Sequence, residues 1–467
     1  MSGKAPEDAW RAYDANPSGV AEKERLADAL YAAPMDVPAG RGAALRTLVE
    51  DASVNPALIA KAGWEHLWRD TGLLAGDPAG MAARLEDSAL ALALLRETYV
   101  AHRAAEAALT GVRRRMLLND AWAATPKLSE ALRRQAMHNG GAWLFEADER
   151  AALTNAAARA AYLPPRAHPT APAFAEPLLA EPVTRAVADQ YEAWPFPSWT
   201  RVMRRTPSSL AADIRRRDPD GPDAIPDPAD ILIAGCGTGR QAALSAARHP
   251  RDRLTAIDIS RSSLAFAQAR CAALGYGGID FRLLDLHDVA RLDKRFDAIL
   301  CTGVLHHLPD PEAGWAALTA VLKPGGVMHV MLYSRVARMA LQAYRRHLQD
   351  LAAGPIDDDV LREARRRILA LPDTPRLSES WFTLAGVYDM LLHRHEDPFD
   401  VRRIRRAMES LGLALLHFAI PDRDVKAQYR AQHPGDPLRR DFAAWAALER
   451  RHPALYGGMY DFWCRKK

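Results

Sequence analysis

The stretch DILIAGCGTGR, residues 230 to 240, decides how this chain folds. A run of branched apolar residues ends at Gly235, Gly237 and Gly239, and helix-forming sequence follows. A buried strand that breaks into a glycine turn and opens a helix is typical of sites for nucleotide-like ligands. The spacing is G-x-G-x-G followed by Arg240, which is neither the dinucleotide fingerprint nor a P-loop. We therefore place a dehydrogenase last among the possible functions.

Strand-like and helix-like segments alternate from residue 230 to about residue 335. Nearly continuous apolar strands separated by helices predict a parallel sheet covered on both faces, with ligands at the carboxyl ends of the strands. Two later segments, LALLHFAI and MYDFWCRK, predict further strands, the last of them antiparallel. The predicted fold class is α/β, with a doubly wound, Rossmann-like sheet of seven strands.

The length of 467 residues exceeds what one core supports, and we predict three regions. Residues 1–160 carry apolar positions at helical spacing and predict an α-helical accessory domain. Residues 161–229 predict a proline-rich linker that holds an aromatic segment, residues 190–199. Residues 230–467 predict the sheet domain, with a helical insertion at about 336–398 that continues into a cap.

Composition narrows the class of protein. The net charge of +4 is small for this length and argues against a protein built mainly to neutralise nucleic-acid phosphates. The arginine clusters have acidic neighbours and are better explained as solvated helix faces. The four cysteines form no C-x-x-C pair, the N-terminal sequence has no apolar signal region, and no apolar run reaches 18 residues. These features predict a cytoplasmic protein with no membrane association.

The glycine stretch and the motifs that follow it are similar to those of one enzyme family. GCGTG after a strand resembles motif I of class I S-adenosylmethionine-dependent methyltransferases, and the later motifs of that family follow in order. The resemblance implies S-adenosylmethionine as cofactor and S-adenosylhomocysteine as product. It implies a cofactor site made of the glycine loop (Gly235, Cys236, Gly237, Gly239), a ribose contact (Asp258, Ile259), an adenine contact (Asp285, Leu286) and a methionine contact (Thr302, Gly303).

One position departs from the family pattern, and a closer resemblance extends over most of the chain. The family often has an acidic residue two positions before the first glycine, where this sequence has Ile233, so either the contact to the methionine amino group comes from elsewhere or binding is weaker. The chain resembles bacterial methyltransferases of unassigned substrate that carry an N-terminal helical or tetratricopeptide-type region. The shared stretches are QYEAWPFPSW, LIAGCGTGR, DISRSSLAFA, GVLHHLPDPEAGW and YGGMYDFWCRK.

Candidate catalytic residues lie in two places. In the aromatic segment, Tyr191, Trp194 and Phe196 either face the cationic sulfonium as a proline-stiffened lid or pack as a latch, and both interpretations stay open. His306 and His307 follow the fourth strand, where one of them can act as a general base. The alternative, which we favour, is that they cap a turn or bond to the backbone while still bordering the site.

The stretch HRHEDP, residues 393–398, is metal-like in composition, but its spacing is not H-E-x-x-H and its carboxylates fit a helix start. We predict no metal site.

The predicted function is methyl transfer from S-adenosylmethionine to an unidentified acceptor, for which we favour a small molecule. The first alternative is an RNA or protein methyltransferase whose helical domain docks its partner, with nucleic acid the less favoured of the two. The second alternative is a non-catalytic adaptor that binds the cofactor, which only Ile233 supports. The acceptor and the oligomeric state stay open.

Overall fold

The computed structural model describes residues 4–35, 37–119, 121–154, 156–164, 181–219, 221–222, 224–371, 379–419, 423–453 and 458–467. Contacts divide the chain into two compact units. The helical unit comprises Met1–Ala167, Pro197–Thr206 and Asp350–Met390. The sheet unit comprises His168–Phe196, Pro207–Gln349 and Leu391–Lys467.

The described residues form 22 α-helices. In chain order they are α1 Lys4–Ala15, α2 Val20–Ala32, α3 Gly42–Glu50, α4 Ala57–Arg69, α5 Pro78–Asp87, α6 Ala89–Glu97, α7 Arg103–Leu118, α8 Pro126–Asn139, α9 Ala147–Ala152, α10 Ala156–Tyr162, α11 Pro182–Ala193, α12 Leu210–Arg217, α13 Arg240–Arg248, α14 Arg261–Ala273, α15 Pro311–Val321, α16 Arg335–Arg345, α17 Gln349–Ala352, α18 Asp358–Leu369, α19 Leu384–Val387, α20 Val401–Ser410, α21 Arg423–Gln432 and α22 Phe442–Arg451. Short 3₁₀ helices cover Leu286–Leu292, Leu305–His307, Arg346–Leu348 and Glu379–Phe382, and Tyr388–Leu392 is a π-helix.

The sheet unit is built on one seven-stranded sheet with the order β3-β2-β1-β4-β5-β7-β6. Its strands are β1 Asp230–Ala234, β2 Arg253–Asp258, β3 Asp280–Leu283, β4 Phe296–Thr302, β5 Leu322–Tyr333, β6 Leu413–Phe418 and β7 Met459–Lys466. The first five strands pair in parallel, whereas β7 is antiparallel to both of its neighbours. The predicted fold class is confirmed. The last strand lies between β5 and β6, so β6 and not β7 forms that edge of the sheet.

Burial explains why these segments become strands. Ile231 to Ala234 of β1 and Phe296 to Cys301 of β4 are buried throughout, as expected for central strands covered on both faces. One face packs its core on α15, α20 and α22, with Trp315 and Phe462 fully buried there. The sheet thereby presents the carboxyl ends of β1, β2, β4 and β5 at one edge.

The helical unit has its own apolar core, which includes the buried rings of Trp64 and Trp143. Helix α18 packs into this unit, where Arg365 makes an ion pair with Glu106 of α7 at 2.5 Å. Residues 350–390, which the sequence placed in an insertion of the sheet domain, therefore group with the N-terminal helices. Helix α18 buries one face, and the N-terminal helices supply matching partners for it. Residues 350–390 therefore belong to the helical unit, although they lie far from the N-terminal helices in the sequence.

The predicted linker, residues 161–229, differs from an extended segment where it is described. Helix α11 occupies residues 182–193 and α12 occupies residues 210–217. Residues 165–180, which hold most of its proline-rich part, lie outside the described residues. Within the described ranges, no helix is long and apolar enough to cross a membrane.

Candidate functional site

The glycine loop joins β1 to α13 and is shaped by close approaches that only glycine tolerates. Gly235, Gly237 and Gly239 have φ angles of +68°, +51° and +82°, in the left-handed region. A Cβ atom at Gly235 would lie 2.4 Å from Cγ2 of Val304, and one at Gly239 would lie 2.6 Å from Cβ of Ala267. The backbone of this loop is therefore held close to its neighbours, and Gly237 presents no side chain to a ligand.

The loop is also tied to the end of β2. The amides of Gly235 and Cys236 both donate to the carbonyl of Ile257 at 2.9 Å, and Cys236 is buried. The amide of Gly237 donates to Oδ2 of Asp258 at 2.7 Å. Burial raises the pKa of the Asp258 carboxyl, against the lowering effect of its backbone hydrogen bonds. Each Asp258 oxygen keeps lone pairs beyond its backbone bond, as a partner for ribose hydroxyls requires.

Asp285 lies two residues beyond the end of β3 and caps the 3₁₀ helix that begins at Leu286. Its Oδ1 accepts from the amide of His287 at 2.9 Å and faces Nδ1 of the same ring at 3.0 Å. Burial raises the pKa of Asp285, but the hydrogen bonds from His287 outweigh it, so the carboxyl pKa is below its ordinary value. Asp285 therefore lies in the loop after β3, where the resemblance puts the adenine contact.

The turn after β4 is a further part of the predicted cofactor site. Thr302 is the last residue of that strand, and Gly303 follows with a φ of +78°. The amide of Gly303 donates to the carbonyl of Met331 in β5 at 3.1 Å. All ten residues predicted to hold the cofactor therefore lie on the loops or strand ends that follow β1, β2, β3 and β4.

The aromatic segment is anchored to this edge by a residue that the sequence analysis missed. Glu192 Oε2 accepts from Oγ of Ser260 at 3.2 Å and from the amide of Ser262 at 3.0 Å, and Oε1 accepts from Oγ of Ser262 at 2.6 Å. The carbonyl of Phe196 accepts from the amide of Thr238 in the glycine loop at 3.2 Å. The signal for Glu192 was the serine-rich start of α14, which needs an acceptor at its N-terminus.

A second feature is a cluster of five rings, here called the histidine cluster: Tyr191, His306, His307, Tyr333 and His393. The rings of His307 and His393 stack at 3.8 Å between centroids, and the His306 ring lies 3.9 Å from that of Tyr333. The Tyr191 hydroxyl lies 3.1 Å from Nε2 of His393. Two of the three predicted catalytic residues, His306 and His307, are buried, and the structure brings all three into one cluster.

The hydrogen bonds fix the tautomers of these rings. Nδ1 of His307 faces the carbonyl of His395 at 2.9 Å, so it donates, and the neutral ring keeps its lone pair on Nε2. Nδ1 of His306 accepts from the amide of Tyr333 at 3.2 Å, and Nδ1 of His393 accepts from the amide of His395 at 3.0 Å. His306 therefore uses its lone pair on the backbone, whereas the basic nitrogen of His307 is Nε2.

Burial lowers the pKa of His306 well below its ordinary value, and the neighbouring His307 and Arg338 lower it further. Burial does the same to the pKa of His393, with further lowering from His307 and Arg345. These two rings are therefore neutral at physiological pH.

Three of the four metal-like residues have other partners. Nε2 of His393 lies against the Tyr191 hydroxyl and its Nδ1 accepts from the His395 amide, Glu396 pairs with Arg338 and Arg345, and Asp397 pairs with Arg403 at 2.7 Å. Nε2 of His395 is buried and has no hydrogen-bond partner among the described residues. That this chain holds no metal stays a prediction.

Comparisons with known proteins agree with this geometry. A family model described as a methyltransferase domain matches residues 231–326. An uncharacterized protein of Synechococcus sp. is 34% identical over 291 residues, which are 57% of this chain and 67% of the relative. A ubiquinone biosynthesis O-methyltransferase of Chromobacterium violaceum is 35% identical over 114 residues, 24% of this chain and 48% of the relative.

The chain thus spans two thirds of the first relative and less than half of the second. The solved structure of PKMT2 from Rickettsia typhi is similar over 63% of this chain and 54% of that chain, with a TM-score of 0.40 and 12% identity. The family, the enzyme class and the cofactor expected from the motifs are confirmed. The chain belongs to the class I methyltransferases that use S-adenosylmethionine.

Proposed function

We propose that this methyltransferase methylates an oxygen atom of a small-molecule acceptor and that His307 takes the proton from that oxygen. The observation that carries the proposal is the place of His307 in the buried histidine cluster, where its Nδ1 bonds to the His395 carbonyl and its basic nitrogen is therefore Nε2. A hydroxyl acceptor keeps its proton at neutral pH and needs a base, whereas an amine that is already neutral does not.

The ten predicted residues hold the cofactor in this proposal. The backbone of Gly237, which carries no side chain, and the accepting carboxylates of Asp258 and Asp285 form a set that fits a nucleoside. When bound, S-adenosylmethionine supplies an electrophilic methyl group on a sulfonium. The protein aligns the acceptor, excludes water and removes the proton.

The two other candidate bases have weaker claims. His306 uses its lone pair on the Tyr333 amide, so it is a structural partner of the cluster. The Tyr191 hydroxyl lies against Nε2 of His393, which donates in the neutral tautomer, and in this proposal Tyr191 borders the acceptor and does not take its proton. The relative from Chromobacterium violaceum is named an O-methyltransferase, which supports oxygen as the methylated atom.

The test is transfer of labelled methyl from S-adenosylmethionine into fractionated cell extract, with wild type, Gly237→Arg and His307→Asn. The asparagine amide keeps a donor to the His395 carbonyl but offers no base. We expect label in the small-molecule fraction with wild type, about a hundredfold less with His307→Asn, and none with Gly237→Arg. S-adenosylhomocysteine binding by calorimetry should be unchanged in His307→Asn and lost in Gly237→Arg.

The other outcomes select the alternatives. Label in the RNA or protein fraction indicates a macromolecular acceptor. Binding of the cofactor with no label in any fraction indicates the adaptor. Unchanged transfer by His307→Asn contradicts the assignment of the base.

A further inference from the structure

The stretch YGGMYDFWCRK, at the C-terminal end of the sequence, includes a carboxylate that the cofactor site leaves unused. Asp461 lies in β7 opposite Met331 of β5, and the next pair on the same face of the sheet is Trp463 opposite His329. Nε2 of His329 lies 2.7 Å from Oδ1 of Asp461. The His329 ring also stacks on Trp463, with a centroid distance of 4.7 Å and an angle of 5°. His329 is therefore fixed by two contacts, and it fixes Asp461.

Strand register places His329 and Asp461 beside the part of the site where the methyl acceptor would bind. Alternate residues of a strand share a face, so His329, Met331 and Tyr333 lie in line on β5, and Tyr333 belongs to the histidine cluster. Met331 is paired with Thr302 of β4 on one side and with Asp461 on the other. Two strand spacings separate Thr302 from Asp461, a distance of about 10 Å between backbones. The carboxylate thus lies one small molecule away from the predicted methionine contact.

The surface between Thr302 and Asp461 is apolar and partly exposed. A Cβ at Gly303 would lie 3.5 Å from Cε of Met459, which is paired with Tyr333. Met331 and Met459 are both half-buried. The Asp461 side chain is 34% exposed, so it is not a core ion pair.

Asp461 is charged and has bonding capacity to spare. Burial raises the pKa of its carboxyl, but the His329 hydrogen bond and the nearby His417 and Arg217 lower it below the ordinary value. Oδ1 bonds to His329, and no hydrogen bond to Oδ2 is found among the described residues. An ionised carboxylate with one uncommitted oxygen is a strong hydrogen-bond acceptor.

We propose that Asp461 is a specificity-determining residue that accepts a hydrogen bond from a donor group of the methyl acceptor, a hydroxyl or an ammonium, and that His329 is its positioning residue. The proposal rests on the proposed small-molecule acceptor. Because the carboxylate repels anions, it also selects against acceptors that carry a carboxylate at the same position.

The experiment measures binding, so that it does not depend on turnover. Benzylamine, benzyl alcohol and benzoate are matched aromatic probes that differ in the charge and donor capacity of one group. Each is titrated into the full-length protein saturated with S-adenosylhomocysteine, for wild type and for Asp461→Asn. The matched control is Asp280→Asn, which alters an exposed strand aspartate paired with Arg282.

We expect wild type and Asp280→Asn to bind at least one donor probe about tenfold more tightly than benzoate. If the recognised donor is an ammonium, Asp461→Asn no longer binds benzylamine more tightly than benzoate. If it is a hydroxyl, the amide oxygen still accepts and benzyl alcohol binding falls only a few-fold, while discrimination against benzoate disappears. S-adenosylhomocysteine affinity should stay the same in all three proteins.

His329 is tested by rescue. His329→Gln keeps a donor to Asp461 and should retain the preference, whereas His329→Phe keeps the stack on Trp463 and should lose it. Benzoate binding wild type as tightly as both donor probes, the absence of donor-probe binding to wild type, or an unchanged preference in Asp461→Asn each overturns the proposal. Loss of cofactor affinity or of methyl transfer bears instead on the proposed function.

Discussion

Gly235 has a positive φ and leaves no room for a side chain beside Val304. We expect Gly235→Ala to lower the free energy of unfolding by about 2–4 kcal/mol, the sum of left-handed strain and overpacking. The control is Gly275→Ala, whose φ is +85° but whose Cβ would meet nothing within 4 Å. It should cost only about 1–2 kcal/mol. Thermal unfolding of the full chain measures both.

A second substitution separates the contribution of left-handed strain from that of overpacking. Adding Val304→Ala to Gly235→Ala removes the methyl groups that would lie at 2.4 Å and 2.8 Å and should restore part of the lost stability. If the double variant is no more stable than Gly235→Ala alone, the close approach does not explain the glycine.

His417 of β6 predicts an acid dependence of folding. Burial, with Arg217 and Arg439 nearby, lowers its pKa to about 4. The folded pKa lies below the unfolded value, so the unfolded chain binds the proton first and stability is lost as pH falls from about 6.5 to about 4. At pH 5 the loss from this residue is about 2 kcal/mol. Melting temperatures of His417→Gln between pH 7 and pH 5 should decline less than those of wild type. His347→Gln, at an exposed histidine, should follow wild type.

At the scale of elements, the aromatic segment depends on Glu192 for its attachment to the start of α14. Glu192→Ala should weaken S-adenosylhomocysteine binding by about tenfold, because the helix start beside Asp258 loses its acceptor. Glu192→Gln keeps one accepting oxygen and should lose less. Calorimetric titration measures both.

The matched control for that prediction lies in the same helix. Glu181 caps α11 at its other end by accepting from the amide of Thr184 at 2.8 Å. Glu181→Ala removes a cap of similar strength far along the chain from α14 and should leave cofactor affinity unchanged. Equal losses in the two alanine variants would mean that helix stability alone accounts for the effect.

Local patterns carried the prediction of the elements that hold the cofactor. The strands β1, β2 and β4 are nearly continuous apolar runs, and each ends at or next to a glycine or a carboxylate. Contacts between residues far apart in the sequence could not be predicted from such local patterns. Glu192 bonds to residues about seventy positions away, and His393 joins the cluster from a segment whose composition resembled a metal site. The insertion of β7 between β5 and β6 likewise depends on packing across the sheet.

At the scale of the whole molecule, the helical unit is closed by residues that are distant in sequence. Arg365 of α18 is 1% exposed and pairs with Glu106 at 2.5 Å, and it also donates to the carbonyl of Ala142 at 3.1 Å. Removing Arg365 leaves a buried carboxylate without its partner. We expect Arg365→Ala to destabilise the helical unit by about 3–5 kcal/mol.

Hydrogen exchange of α7 measures this loss directly. Arg366→Ala is the neighbouring control, since Arg366 is 59% exposed and pairs with Glu363 on the same helix. It should change exchange very little. Equal protection of α7 in both variants would contradict the role assigned to the buried pair.

The division of the helical unit among three chain segments also governs the order in which the protein can fold during synthesis. The first segment leaves the ribosome long before α18 exists, so Glu106 remains without Arg365 while more than two hundred further residues are translated. The first segment lacks the partners that α18 supplies, and the sheet unit lacks β7, which joins β5 to β6, until residues 459–466 are translated. Both units are therefore completed late, and a chain truncated after β5 leaves neither of them whole.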